Sequence, residues 1–186
     1  MATHKPVEVL ELFGELTPSN SGYRWRVIYT KSRVEKKLAE YAHRLGINYY
    51  LPLIDSVKDY KYRKVTFTKP LFPGYIFIKA NSEDISYLYN SGCISSILKV
   101  NNESNLLKEL NSIYRLRSKG AIMSVGKYLD EGVRVRILSG PFEGLTGFVE
   151  SHETIDKVIL NVEIIHQSIV ITVNSINVKI IGDRGV

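Results

Sequence analysis

Four histidines and one cysteine are the residues from which a metal centre or a nucleophilic site would have to be assembled. His4, His43, His152 and His166 lack the spacing that ligands of one ion need, and the single cysteine offers them no partner. His43 falls on a basic helical stretch and reads as a surface residue. Cys93 follows Gly92 in an apolar stretch and reads as a small core residue, not a nucleophile. The nearest approach to a phosphate-binding loop is Gly120 with Gly126-Lys127. Five residues separate those glycines where the motif needs four, and Tyr128 stands in place of the Ser or Thr. No catalytic constellation can be built from this set. No enzyme activity, cofactor or metal is therefore expected, and the chemistry left is recognition.

Charge and aromatic residues carry that recognition. Residues 24–118 hold 17 Lys and Arg against 8 Asp and Glu, whereas 1–23 hold 1 against 3 and 119–186 hold 7 against 8. A basic block followed by a near-neutral one predicts two domains with different partners, the first near nucleic acid. Within the basic block, Lys31, Arg33, Lys36, Lys37 and Arg44 gather around one helical stretch. Such a row of cations would bind phosphates in a salt-dependent way. The composition, 44% hydrophobic and 24% charged, is that of a globular protein, and no run of 18 apolar residues exists to span a membrane. The first 30 residues lack the apolar stretch of a secretory signal, and one cysteine allows no internal disulfide, so a cytoplasmic location is expected.

The elements that must position these residues follow from periodicity. Residues 1–23 end in Pro18-Ser19-Asn20-Ser21-Gly22, a loop composition, and are expected to form a mobile extension. Trp25-Arg26-Val27-Ile28-Tyr29-Thr30 alternates as a strand, with Trp25, Val27 and Tyr29 on one face. Ser32-Arg33-Val34-Glu35 has capping-box spacing and predicts a helix that buries Val34, Leu38, Tyr41, Ala42 and Leu45 and stops at Gly46. Strand-like runs cover 49–57, 62–69, 75–79 and 94–100, with a short helix after Ser82 and a longer one over 105–117 that turns Leu106, Leu110, Ile113 and Tyr114 inward. Residues 119–128 have no clean period and predict a linker. Beyond it, β-branched runs at 133–137, 145–152, 157–164, 168–173 and 176–181 predict a small five-stranded barrel.

Leu71-Phe72-Pro73-Gly74-Tyr75-Ile76-Phe77-Ile78 resembles the Phe-Pro-Gly-Tyr signature of the NusG N-terminal domain. Further on, Gly132-Val133-Arg134-Val135, Ser139-Gly140-Pro141-Phe142-Glu143-Gly144 and Gly147-Phe148-Val149 resemble a KOW motif, which follows that domain in the family. The chain is thus similar to NusG/RfaH-like transcription elongation factors over nearly all of 24–181. The resemblance implies an α+β protein: an N-terminal α/β sandwich over 24–118, mainly an antiparallel sheet flanked by helices, then the 119–128 linker and a five-stranded KOW barrel over 129–182. It implies docking on the clamp helices of RNA polymerase through Tyr29, Phe72, Tyr75 and Phe77. It also implies contact with the exposed non-template DNA strand through Lys31, Arg33, Lys36, Lys37 and Arg44. The KOW hairpin loop, with Ile165 and His166, matches the region that binds a small-subunit ribosomal protein or Rho in the family. A monomer with no membrane association is expected.

The loop Ile165-His166-Gln167-Ser168 lacks the glycine usual in housekeeping NusG, and the Ser86-Tyr87 region lacks the family's threonine run. Both departures point to a specialised, antiterminating paralogue. Housekeeping NusG and a ribosome- or RNA-associated KOW protein are the alternatives. The β-branched density of 157–181 opposes a helical alternative state of the barrel, so a permanently β domain is expected, leaving Tyr29, Tyr75 and Phe77 accessible.

Overall fold

The computed structural model describes residues 8–20, 22–60, 63–130, 132–150, 153, 156–174 and 177–184. The chain forms two units, Met1–Glu103 and Ser104–Val186.

The first unit is built on a five-stranded antiparallel sheet with the order β1-β3-β6-β2-β7. Its strands are β1 (Leu12–Phe13), β2 (Arg24–Thr30), β3 (Asn48–Tyr50), β6 (Tyr75–Ala80) and β7 (Ile94–Leu98). Helices α1 (Glu35–Arg44) and α2 (Ser82–Tyr89) bury Leu38, Ala39, Ala42 and Leu88 against one face, which supplies Ile28, Ile76 and Ile78. That packing follows from strand alternation, since Ile28 pairs with Ile76 in register and Arg26 with Ile78. Asn81 caps α2 in a full capping box with Asp84, each side chain taking the other's free amide. Cys93 is buried and free, as its surroundings in sequence suggest. Between β3 and β6 the chain makes a separate two-stranded ribbon, β4 (Leu53–Tyr60) and β5 (Arg63–Pro70).

Residues 8–20 are not the loose extension expected from their composition. Leu12 and Phe13 add β1 to the sheet edge opposite Tyr50 and Tyr49, and Leu51 donates its backbone N–H to the carbonyl of Glu11. Tyr49 Oη donates to the Leu10 carbonyl, Trp25 Nε1 donates to that of Thr17, and the Phe13 ring stands edge-on to His43 at 4.6 Å. A strand of two residues has no periodicity to read; it exists because a sheet edge offers unpaired backbone groups.

The second unit joins α3 (Glu103–Ser118), whose first residue still belongs to the first unit, to a six-stranded sheet in the order β13-β9-β10-β11-β12-β8. Its strands are β8 (Met123–Lys127), β9 (Gly132–Ile137), β10 (Thr146–Val149), β11 (Lys157–Val162), β12 (Gln167–Thr172) and β13 (Val178–Arg184). Five match the expected runs. The sixth, β8, occupies the segment expected to be a linker, pairing Met123–Lys127 against β12. Gly126 is needed there, because a Cβ would lie 2.7 Å from Val170 and 2.9 Å from Ser168. Buried Asn161 pins the following turn, donating to the Leu129 carbonyl and accepting from its N–H. Helix α3, expected with the first domain, is tied to this sheet's connections: Arg115 donates to the Glu143 carbonyl, Lys119 to that of Pro141, and Asn105 to Glu163. Tyr114, expected inward, is exposed.

Candidate docking and nucleic-acid interface

Phe72-Pro73-Gly74-Tyr75 folds as a type II turn. Tyr75 donates its N–H to the Phe72 carbonyl at 3.1 Å, Pro73 sets the first central position, and Gly74 takes φ of 87° at the second. The turn delivers Tyr75 to the first position of β6, opposite Tyr29 on β2. The two rings lie 5.1 Å apart at 47°. Tyr29 is 42% exposed and lies over Gly74, where an added Cβ would come within 2.9 Å of its Cε2.

A second set of hydrogen bonds fixes this turn to α1. Gly74 donates its N–H to Glu35 Oε1 at 2.7 Å, and Thr30 donates to the Gly74 carbonyl at 2.8 Å. Glu35 is buried in the first turn of α1, where the helix dipole favours its negative charge. This explains why the expected capping box is absent. Arg33 takes a left-handed φ of 61°, the helix starts at Glu35 behind an N-cap Val34 with no side-chain bond, and the Glu35 carboxylate serves the turn instead of the helix.

The remaining sequence-derived docking residues do not reach the surface. Phe72 is 1% exposed and Phe77 0%, their rings meeting edge-on at 6.5 Å. The strand row that carries Trp25, Val27 and Phe77 is as buried as the row facing α1 and α2, so β6 has no bare face. Of the four aromatics, only Tyr29 and Tyr75 form a surface feature.

Among the five cations, Lys31, Arg33, Lys37 and Arg44 are exposed. Lys31 is held by its own backbone N–H, which donates to the Cys93 carbonyl at 2.8 Å. Lys37 and Arg44 are seven residues apart and share a helix face, with Glu40 between them. The Arg44 guanidinium stands 5.5 Å from the Tyr41 ring centroid, a cation–π placement in the last turn that also suits the helix dipole. Lys36 is set apart from the row. Its ammonium donates to Thr68 Oγ1 of β5 at 2.8 Å, and burial lowers its pKa against the opposing pull of Glu8.

In the six-stranded sheet, a single 3-10 turn at Glu163–Ile165 joins β11 to β12. Ile165 points inward and is 6% exposed, so it is not a contact residue as expected. His166 is exposed, holds a left-handed φ of 52°, and stacks on Tyr128 at 4.1 Å and 15°.

The chain belongs to a known class: the family model for transcription termination factor NusG matches residues 23–122, and the chain is a member of the NusG family of transcription factors. No curated protein sequence matches the chain. Among solved structures, one on the domain interaction in Thermotoga maritima NusG is 21% identical with a TM-score of 0.48, covering 86% of this chain and 97% of that one. A structure of the MjSpt4:Spt5 complex is 18% identical with a TM-score of 0.29 over the same shares. No helix among the described residues is long and apolar enough to cross a membrane.

Proposed function

We infer that the chain is a transcription elongation and antitermination factor that acts by binding. Tyr29 and Tyr75 dock on the clamp helices of RNA polymerase. Lys31, Arg33, Lys37 and Arg44 meet the exposed non-template DNA strand. The C-terminal barrel, of KOW type by its sequence, recruits a further protein at the loop that carries His166, a small-subunit ribosomal protein or Rho by analogy with the family.

The observation that carries this reading is the hydrogen bond from Gly74 to Glu35. It joins the exposed Tyr29, its half-buried partner Tyr75 and the start of the basic helix into one piece, so docking on the polymerase fixes where the cations sit. Placing a reactant-sized row of charges by a rigid scaffold is what lets weak phosphate contacts act together. The left-handed His166 favours a specialised paralogue over the housekeeping factor, because glycine would adopt that φ without strain.

Binding to core polymerase tests the reading. Interface aromatics typically contribute about 2 kcal/mol or more each. Tyr29→Ser with Tyr75→Ser should therefore weaken polymerase binding by about 4 kcal/mol, on the order of a thousandfold, while the melting temperature stays within a few degrees. Unchanged affinity in a folded variant would remove the tyrosines from the interface.

A further inference from the structure

The ribbon β4–β5 has two chemically different faces. Register pairs Leu53 with Pro70, Lys58 with Val65, Asp59 with Lys64 and so on to the tip, and side chains of paired residues share a face. One face carries Lys58, Arg63 and Lys69, all exposed, with Ile54, Ser56, Val65 and Phe67 between them and no carboxylate. The other carries Asp55 and Asp59 against a single cation, Lys64, which pairs with Asp59 at 3.8 Å. Near the ribbon's base, this second face is turned to its own domain, because Thr68 takes the Lys36 ammonium there. Leu53 is core at 4% exposed, and exposure rises outward from it. The ribbon is an arm about 27 Å long at ~3.4 Å per residue.

We propose that the cationic face of this arm binds the phosphate backbone of duplex nucleic acid, independently of the docking surface described above. Charge separation between the faces is the argument: solubility alone would be served by mixing both signs on each face, as the Asp59–Lys64 pair does. The three cations span six residues of ribbon, about 20 Å, or roughly six base-pair rises of 3.4 Å. A two-stranded ribbon is also of a size that the major groove admits. Contacts made by lysine and arginine to phosphate carry no sequence preference.

The test is fluorescence anisotropy of the full chain with a labelled duplex of about 20 base pairs and with its single strand, across 50 to 300 mM salt. Three phosphate contacts contribute roughly 2.7 to the log–log salt slope on a duplex. Lys58→Ala with Arg63→Ala and Lys69→Ala should remove that much slope on the duplex, and Lys64→Ala, on the opposite face, should remove little. Thermal melting of both variants checks that the arm's base stays folded. An unchanged duplex slope overturns the proposal. So does equal loss from Lys64→Ala, which would mean bulk charge, or a loss confined to the single strand. Polymerase affinity is a separate readout, so failure here leaves the tyrosine docking surface standing, and the reverse.

Discussion

Val27 and Phe77 face each other on one rung of the β2–β6 ladder, and Tyr29 and Tyr75 face each other on the next rung of the same side. Only about 7 Å of strand separates the rungs. Yet Val27 and Phe77 are 0% exposed, whereas Tyr29 is 42% exposed. The difference lies in what continues each rung sideways. Phe77 also pairs with Tyr50 of β3, itself fully buried, and Phe72 closes over it edge-on. The β3 register stops there, so Tyr75 has a turn beside it instead of a strand, and on the far side Tyr29 pairs with small Ser96. A phenol tolerates this position because its ring can pack while its hydroxyl stays in water. Strand alternation therefore decides which side a residue faces, and the lateral neighbours decide whether that side is core or surface.

The largest expected effect separates the two rungs directly. Truncating a buried Phe typically costs about 3–5 kcal/mol through lost transfer energy and an unfilled cavity. In a unit of this size each kcal/mol moves the midpoint by about 4–8 °C. Phe77→Ala should thus lower the melting temperature by more than about 10 °C, and any loss of polymerase binding should track the unfolded fraction. Tyr29→Ser with Tyr75→Ser should give the opposite pattern, lost binding in a folded protein. If Phe77→Ala melts near wild type, the two rungs are equivalent and the distinction collapses.

That distinction also marks where reading the sequence stops. The start of β2, the span of α1, the place of α2 and most strands of the second unit were legible because each depends on local pattern: alternation, helical spacing, a Ser before acids. The burial of Phe77 was not, since β6 is apolar on both rows and alternation cannot say that both are covered. Nor was the use of Glu35. Ser32-Arg33-Val34-Glu35 is a sound local cap, but the Gly74 amide, 39 residues away, holds that carboxylate. The strands β1 and β8 and the attachment of α3 to the six-stranded sheet's connections share this cause. Each is decided by a distant edge or carbonyl, and neither composition nor period records it.

A middle-sized effect is expected at the turn itself. Gly74→Ala places a side chain at φ of 87° and 2.9 Å from the Tyr29 ring. The backbone penalty is about 1–2 kcal/mol, and the ring must also swing aside. Stability should fall by that amount, about 4–16 °C, and polymerase affinity should fall further than stability accounts for, because Tyr29 is displaced. Affinity that falls only in step with the folded fraction would mean that the tyrosine's orientation is unimportant.

The smallest effect concerns the third rung of the same row, Trp25, which is buried and whose backbone is held by a polar strap. Its backbone N–H donates to Glu103 Oε2 at 3.0 Å, and the same carboxylate accepts from Ser19 N at 2.7 Å and Ser19 Oγ at 2.8 Å. Burial pushes the Glu103 pKa up, but these three bonds and the attraction of Arg24 outweigh it and hold the carboxyl below its usual 4.5. A folded-state pKa below the unfolded one means that the unfolded chain binds the proton more readily. The contribution is then fully present above about pH 5 and is lost as pH falls through 4.5 towards the lowered value. Glu103→Gln keeps the shape but cannot satisfy all three donors. It should cost about 1 kcal/mol at pH 7, a part-exposed charge-assisted site being discounted for solvent screening. Once pH falls below the lowered folded-state value, the variant and the wild type should converge. Melting curves of both proteins from pH 7 down to 3 check this, and a gap between them that stays constant with pH would show that Glu103 holds Trp25 by shape and not by charge.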